Sequence, residues 1–159
     1  MLDRLLHALT FLSALGCGLV AGVFFAFSAF VMNALGRLPA AQGISAMQSI
    51  KVVVINPLFM GAFLGTAAAR VLLGIAALVM WHEPGAAYLL AGSLLYLIGS
   101  VVATMAFNVP LNDALAAVEP TGTEGAGLWA RYLASWTGWN HVGTAASLAA
   151  AASLILALK

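Results

Sequence analysis

Long apolar segments separated by short polar stretches dominate this chain. Four of them are nearly free of charge and reach the length of about 20 residues that a helix needs to cross the ~30 Å hydrocarbon core of a bilayer. They cover about residues 5–35, 56–81, 86–107 and 139–158. Because backbone groups have no partners in lipid, each segment is predicted to be a helix, and no alternating barrel pattern is present. The sequence therefore predicts one all-α domain over residues 1–159, a bundle of four transmembrane helices.

The links between the predicted spans differ in length. A tight turn at residues 82–85 joins spans two and three, whereas residues 36–55 and 108–138 are long. Both long links carry apolar residues at helical spacing, for example Ile44 and Met47 in the first. We predict one amphipathic helix in each long link, lying at the membrane interface on the same face of the bundle.

An even number of spans puts both chain termini on one side of the membrane and both long links on the other. Three basic residues fall on the side of the links and two on the side of the termini, which is too small a bias to orient the protein. The alanine- and glycine-rich composition and the lack of Asn-x-Ser/Thr sequons are consistent with a bacterial inner membrane.

Composition supports the membrane assignment. The 159 residues are 64% hydrophobic and 7% charged, whereas about a quarter of the residues of a soluble domain are charged. The solvent of most of this protein is therefore predicted to be lipid. A net charge of +1 also argues against nucleic acid as a partner, because binding to phosphates needs a basic patch.

The polar residues gather at the predicted face of the long links. All five asparagines lie at span ends on that face, together with a single histidine: Asn33, Asn56, Asn108, Asn112, Asn140 and His141. One interpretation is helix capping, which suits Asn56 before a proline and Asn33 at a helix end. The other is that these side chains line a binding site.

The binding interpretation is favoured where asparagines combine with aromatic residues. Asn108 and Asn112 are four residues apart and share a helix face, while Asn140 follows Trp136 and Trp139. A concave apolar site with a few convergent polar groups is the usual form of a small-molecule pocket. We therefore expect an apolar aromatic ligand here, with the two tryptophans as walls.

His141 is either a histidine with a structural hydrogen bond or a general base, since an imidazole titrates near physiological pH. A metal site is the weaker interpretation, because Asp113 and Glu119 add few ligands for copper or iron. No dinucleotide fingerprint, cysteine pair or histidine pair for haem is present. The sequence thus indicates no cofactor, with copper or iron as the alternative.

Two further features concern contacts within the membrane. Gly18-x-x-x-Gly22 and Gly61-x-x-x-Gly65 have the spacing that lets helices approach closely in lipid, within the bundle, in a homo-oligomer or against another membrane protein. Arg70 falls near the middle of span two, and no acidic residue lies in any span. An unpaired charge there is expected to face the bundle interior or to reach for the nearer surface.

Four stretches of the sequence resemble the anthrone oxygenase-like family of small four-span membrane proteins. They are residues 22–32 (GVFFAFSAFVM), 56–60 (NPLFM), 106–113 (AFNVPLND) and 136–141 (WTGWNH). Relatives often have an arginine two positions after the histidine, where this chain has Gly143.

The resemblance implies a membrane-embedded monooxygenase that oxidises an anthrone-like polycyclic aromatic with O₂, and no organic cofactor. In this hypothesis His141 is the base, since its imidazole can remove the acidic C–H proton. Asn108, Asn112 and Asn140 are the donors to the developing oxyanion. Trp136, Trp139, Asn33 and Asn56 bind substrate. Two alternatives remain open: a binding or transport protein for a quinone- or lipid-like molecule, and an accessory subunit of a larger membrane complex.

Overall fold

A computed structural model describes the backbone of residues 2–159 and the side chains of residues 4–159. Within these residues the chain forms five helices and no strand. The first, α1, is α-helical over Leu2–Ala26 and Met32–Gly36, with a π-helical segment at Phe27–Val31 between them. Helix α2 is Ala40–Val54 and α3 is Pro57–Val79. Helix α4 comprises Ala86–Leu94, π-helical segments Leu95–Val102 and Thr104–Asn108, and Val109–Ala116, and α5 is Gly125–Ala157.

Four of these helices are long and apolar enough to cross a membrane. They are Arg4–Gly36, Pro57–Val79, Ala86–Ala116 and Gly125–Ala157. The predicted all-α fold with four spans is therefore confirmed, and the protein is a multi-pass membrane protein. The last two helices extend further than the predicted limits of 107 and 139.

The two predicted interfacial helices have different outcomes. Residues 36–55 do contain a separate helix, α2, but residues 108–138 do not: α4 continues to Ala116 and α5 already begins at Gly125. The connecting turn contains Pro120 and Gly122, both of which interrupt helices. After this turn nothing breaks the helical pattern, so the aromatic segment predicted as an interfacial helix forms the first turns of α5. A pair of interfacial helices is thus not confirmed.

Two hydrophobic clusters hold the chain together. The first lies between the four long helices and includes Val20, Phe63, Tyr96 and Leu154. The second lies between α2 and the bundle. Its buried residues are Met32, Ile44, Met47, Leu115, Trp129, Tyr132 and Trp136. Helix α2 therefore covers one end of the bundle with its apolar face.

A glutamine fixes α2 on α4. Gln48 donates from Nε2 to the carbonyl oxygens of Leu115 (2.9 Å) and Val118 (3.1 Å). Such carbonyls at the end of a helix lack partners of their own. These bonds hold α2 in a defined position above the bundle.

The glycine pairs do not form contacts within the bundle. A Cβ added at Gly18, Gly22, Gly61 or Gly65 would meet nothing within 4 Å. The close approach of α1 to α3 instead uses Gly16, directly opposite Thr66. Both Gly-x-x-x-Gly faces therefore remain open on the outside of the monomer.

Arg70 faces the interior, which is one of the two alternatives that the sequence left open. Its side chain is 0% exposed. Nη2 donates to the carbonyl oxygen of Leu89 (3.3 Å) and to Oγ of Ser93 (3.1 Å). Nε and Nη1 have no partner among the described residues.

Candidate functional site

A small cavity lies beneath α2, where all five helices meet. Its volume is about 110 Å³. Its aromatic walls are Phe24, Phe27, Phe59 and Trp136, and its polar groups include Asn108, Asn112, Asn140 and Lys51. The structure thus brings together three of the five asparagines and one of the two tryptophans that the sequence singled out.

Asn140 ties α5 to α1 at the inner end of this cavity. Its Nδ2 group donates to the carbonyl oxygen of Phe24 and to Oγ of Ser28, both at 2.6 Å. Ser28 also donates to the Phe24 carbonyl, at 2.9 Å. The π-helical segment begins nearby at Phe27, where the hydrogen-bond ladder of the helix changes. Asn140 therefore uses both of its N–H groups in structural bonds and keeps only Oδ1 for a ligand.

Asn108 has a similar structural bond. It is 4% exposed and donates from Nδ2 to the carbonyl oxygen of Trp136, at 3.1 Å. It ends the second π-helical segment of α4, just before Pro110. Proline cannot continue the regular ladder, and π-helical turns often occur at functional sites. Asn108 therefore links α4 to α5 and leaves Oδ1 and one N–H for a ligand.

Asn112 is held differently. Its Oδ1 accepts a hydrogen bond of 2.7 Å from the hydroxyl of Tyr132, which is fully buried. That bond leaves the Nδ2 group of Asn112 able to donate. The buried Nε1–H of Trp136 also has no partner among the described residues. The cavity thus contains both donors and acceptors for a polar atom on a ligand.

Lys51 is a cavity residue that sequence reasoning missed as a functional candidate. Its Nζ lies 2.7 Å from Oδ1 of Asp113 and 3.5 Å from the carbonyl oxygen of Asn112. Among the described lining residues it is the single charged one. The only available signal was its place on the polar side of an amphipathic helix, a position that usually indicates solvent.

His141 lies outside this cavity. It is exposed and lines an open groove of about 1000 Å³ between α1 and α5. Asn33 of α1 and Arg37, directly after this helix, line the same groove. Successive residues on an α-helix are about 100° apart, so Asn140 can face inward while His141 faces outward.

The other predicted site residues have structural contacts. Asn33 does not cap a helix end, since its Nδ2 bonds to the carbonyl of Ala29 within α1 (2.9 Å). Asn56 is the N-cap of α3, with Oδ1 accepting from the N–H groups of Leu58 and Phe59, each at 3.0 Å. Trp139 stacks on Phe107, with ring centroids 3.6 Å apart. None of these three lines the cavity.

Gly143 is buried against the wall of the cavity. A Cβ at this position would lie 2.7 Å from Cδ2 of Phe24, too close for an ordinary contact. The ring of Phe24 therefore occupies the space that a longer side chain at position 143 would need.

The described residues contain no cluster of three or more His, Cys, Asp or Glu side chains that could hold a metal ion. What the cavity offers is hydrogen bonding, one positive charge and flat apolar walls. This set suits a flat aromatic molecule that carries one polar oxygen and develops negative charge during reaction.

These features define a four-span helical membrane protein with a partly open, amide-lined aromatic pocket beneath α2. The family model described as anthrone oxygenase matches residues 50–153, well over half of the chain, and the chain belongs to that family. The matched region begins in the last turn of α2, so it includes Lys51 and all of α3 and α4. No curated protein and no solved structure gives a significant match.

Proposed function

We propose that this protein is a cofactor-independent membrane monooxygenase that oxidises an anthrone-like aromatic ketone with O₂. One observation carries the proposal: amide groups of Asn108, Asn112 and Asn140 converge with aromatic walls on one partly open cavity. Membership of the anthrone oxygenase family supports the class of reaction.

The proposed reaction consumes one O₂ and releases one water. Loss of a proton from the CH₂ group of the anthrone moves its electron pair into the ring system and onto the ketone oxygen. The electron-rich carbon passes an electron to O₂, and the two radicals combine to form a C–O bond. Uptake of a proton gives a hydroperoxide, which loses water to form the second carbonyl of the anthraquinone. The substrate anion itself supplies the electrons, so the balance needs neither a flavin nor a metal.

The cavity residues have distinct roles in this proposal. Nδ2 of Asn112 donates to the ketone oxygen as it becomes negative. Asn140 positions Phe24 instead of donating to substrate, because both of its N–H groups are engaged. This changes one of the roles inferred from the resemblance.

The size of the cavity limits how much substrate it encloses. An engineered protein cavity of about 150 Å³ holds a benzene molecule. A volume of about 110 Å³ therefore takes roughly one ring in the present conformation. The ketone of an anthrone lies on the central of three fused rings, so we propose that the ketone edge of the molecule points into the cavity and that the flanking rings extend out of it beneath α2.

A second candidate site is the groove that contains His141. Its larger volume and the nearby Asn33 favour it for a whole polycyclic molecule. His141 can act as the base only for a substrate bound there. No imidazole lies among the described residues that line the cavity, so a substrate bound there loses its proton to water.

The test is turnover of anthrone by the full chain in lipid nanodiscs, with empty nanodiscs as the control for spontaneous oxidation. We expect one labelled oxygen atom in the quinone from ¹⁸O₂. Asn112→Ala should lower kcat ~10²-fold, as loss of one oxyanion donor does, while His141→Ala should not. The reverse pattern would move the reaction to the groove, and a wild-type rate equal to that of empty nanodiscs would contradict the oxygenase.

We further propose a bacterial inner membrane as the location, with both termini on the same side. Four spans and a composition rich in alanine and glycine support this. Reporter fusions at each terminus test it, and opposite signals from the two ends would contradict it.

A further inference from the structure

Lys51 is the single charged residue among the described residues that line the cavity. Lys51 lies in the last turn of α2. Its side chain is 28% exposed, whereas that of Asp113, its partner, is 65% exposed. Lys51 is thus the inner member of the pair and Asp113 the outer one.

A stabilising ion pair alone does not explain this arrangement. Pairs with one well-exposed partner contribute little to stability, because water and salt screen them. Helix α2 is already fixed on α4 by the two hydrogen bonds of Gln48. Lys51 reaches the same cavity as Asn112, whose Nδ2 is able to donate.

We propose that Lys51 is a catalytic residue whose ammonium group binds the oxyanion of the substrate next to Nδ2 of Asn112. This inference rests on the proposed function. It also specifies the substrate: an aromatic ketone whose deprotonated form places negative charge on oxygen.

The proposed step conserves atoms and electrons. The C–H bond of the substrate breaks, its proton goes to water, and its electron pair is delocalised onto the ketone oxygen. The ammonium of Lys51 keeps its protons and binds that oxygen by charge and by one N–H. In an apolar cavity this attraction is stronger than in water, so the anion is more populated and available to O₂.

Lys51 and Asp113 can be substituted separately, so that one variant is the control for the other. Lys51→Met removes the cation but keeps an unbranched side chain of similar length. Asp113→Asn removes the ion pair but keeps the cation. If Lys51 only served the ion pair, both variants would lose the same activity. If Lys51 binds the oxyanion, Lys51→Met loses kcat ~10²-fold with little change in KM, Asp113→Asn stays within about threefold, and Lys51→Arg recovers part of the loss.

A binding measurement separates this inference from the oxygenase proposal. The probe is a hydroxyanthracene, whose phenolate resembles the substrate anion and absorbs at longer wavelength than the neutral form. Full-length protein in nanodiscs should raise the phenolate fraction of bound probe, and Lys51→Met should abolish that increase. Normal turnover in Lys51→Met would overturn the role of Lys51 and leave the oxygenase intact. If the wild type shows no turnover, the binding measurement alone tests the role of Lys51. An equal phenolate fraction in wild type and Lys51→Met would then overturn the inference.

Discussion

Asn140 and His141 are adjacent in sequence and lie on different sides of α5. Asn140 is 5% exposed and bonds to Phe24 and Ser28 of α1, whereas His141 is exposed in the outer groove. The sequence suggested that these two neighbours act together at one site. In the structure Asn140 makes hydrogen bonds inside the bundle, whereas His141 faces outward.

Substitution of Asn140 and of His141 should therefore change the stability of the protein by different amounts. Asn140→Ala removes two buried hydrogen bonds and should lower the free energy of unfolding by about 1–3 kcal/mol. His141→Ala changes an exposed position and should stay within about 0.5 kcal/mol of wild type. Thermal unfolding of both variants in the same detergent measures the difference. Equal losses of stability would contradict the assignment of Asn140 as the structural member.

The fold could be predicted because its signals are local. Four long uncharged segments and the Asn56–Pro57 cap were readable directly from residue order. The high energy of an unpaired charge in lipid predicted that Arg70 would face either the interior or the nearer surface, and only the structure distinguishes the two. The limits of α4 and α5 were not predicted, because a helix that leaves the membrane and continues over the bundle has the same apolar periodicity as a separate interfacial helix.

The site was predicted only in part, because the rotation of each helix about its axis decides which side chains meet at the cavity. The sequence placed all five asparagines at one end of the bundle but could not distinguish Trp136, which lines the cavity, from Trp139, which stacks on Phe107. Lys51 has no functional signal in the sequence, because a lysine on the polar side of an amphipathic helix usually faces solvent. Its contact with Asp113 spans 62 positions of sequence and has no local signal.

Two glycines of α5 test the packing of the cavity wall. Gly143→Ala would place a Cβ 2.7 Å from the ring of Phe24, and such overpacking should destabilise the protein by about 1–3 kcal/mol. Gly138→Ala meets nothing within 4 Å and should stabilise the helix by about 0.5–1 kcal/mol. Unfolding in detergent compares the two, and a stabilised Gly143→Ala would contradict the close packing of Phe24.

A double-mutant cycle tests the buried guanidinium. Ser93→Ala removes an acceptor of Arg70 and should destabilise by about 1–3 kcal/mol. In an Arg70→Met background the same change should have a smaller effect, and Arg70→Met alone should not be less stable than wild type. Ser100 bonds to Ser147 and to the Gly143 carbonyl, so Ser100→Ala should have equal effects in both backgrounds. Equal effects of Ser93→Ala in both backgrounds would contradict the coupling.

Metal removal tests the cofactor-independent chemistry directly. We expect turnover of anthrone to be unchanged after dialysis against a strong chelator, because the substrate anion supplies the electrons for O₂. Oxygen uptake before and after dialysis measures this. A loss of activity that copper or iron restores would replace the proposed mechanism with a metal-dependent one.

The hydrogen bond from Tyr132 to Asn112 sets the direction of the carboxamide that faces the cavity. Tyr132→Phe leaves the aromatic ring in place but frees Oδ1 of Asn112, so the amide can rotate away from the substrate oxygen. Misplacement of a catalytic group by about 1 Å is enough to lower turnover ~10²-fold, and we expect a loss between about 10- and 100-fold in kcat with a small change in KM. Tyr88 is 48% exposed, so Tyr88→Phe is the matched control and should behave as wild type. If Tyr132→Phe retains full kcat while its stability falls, the bond supports packing only, and Asn112 does not need a fixed direction to act as a donor.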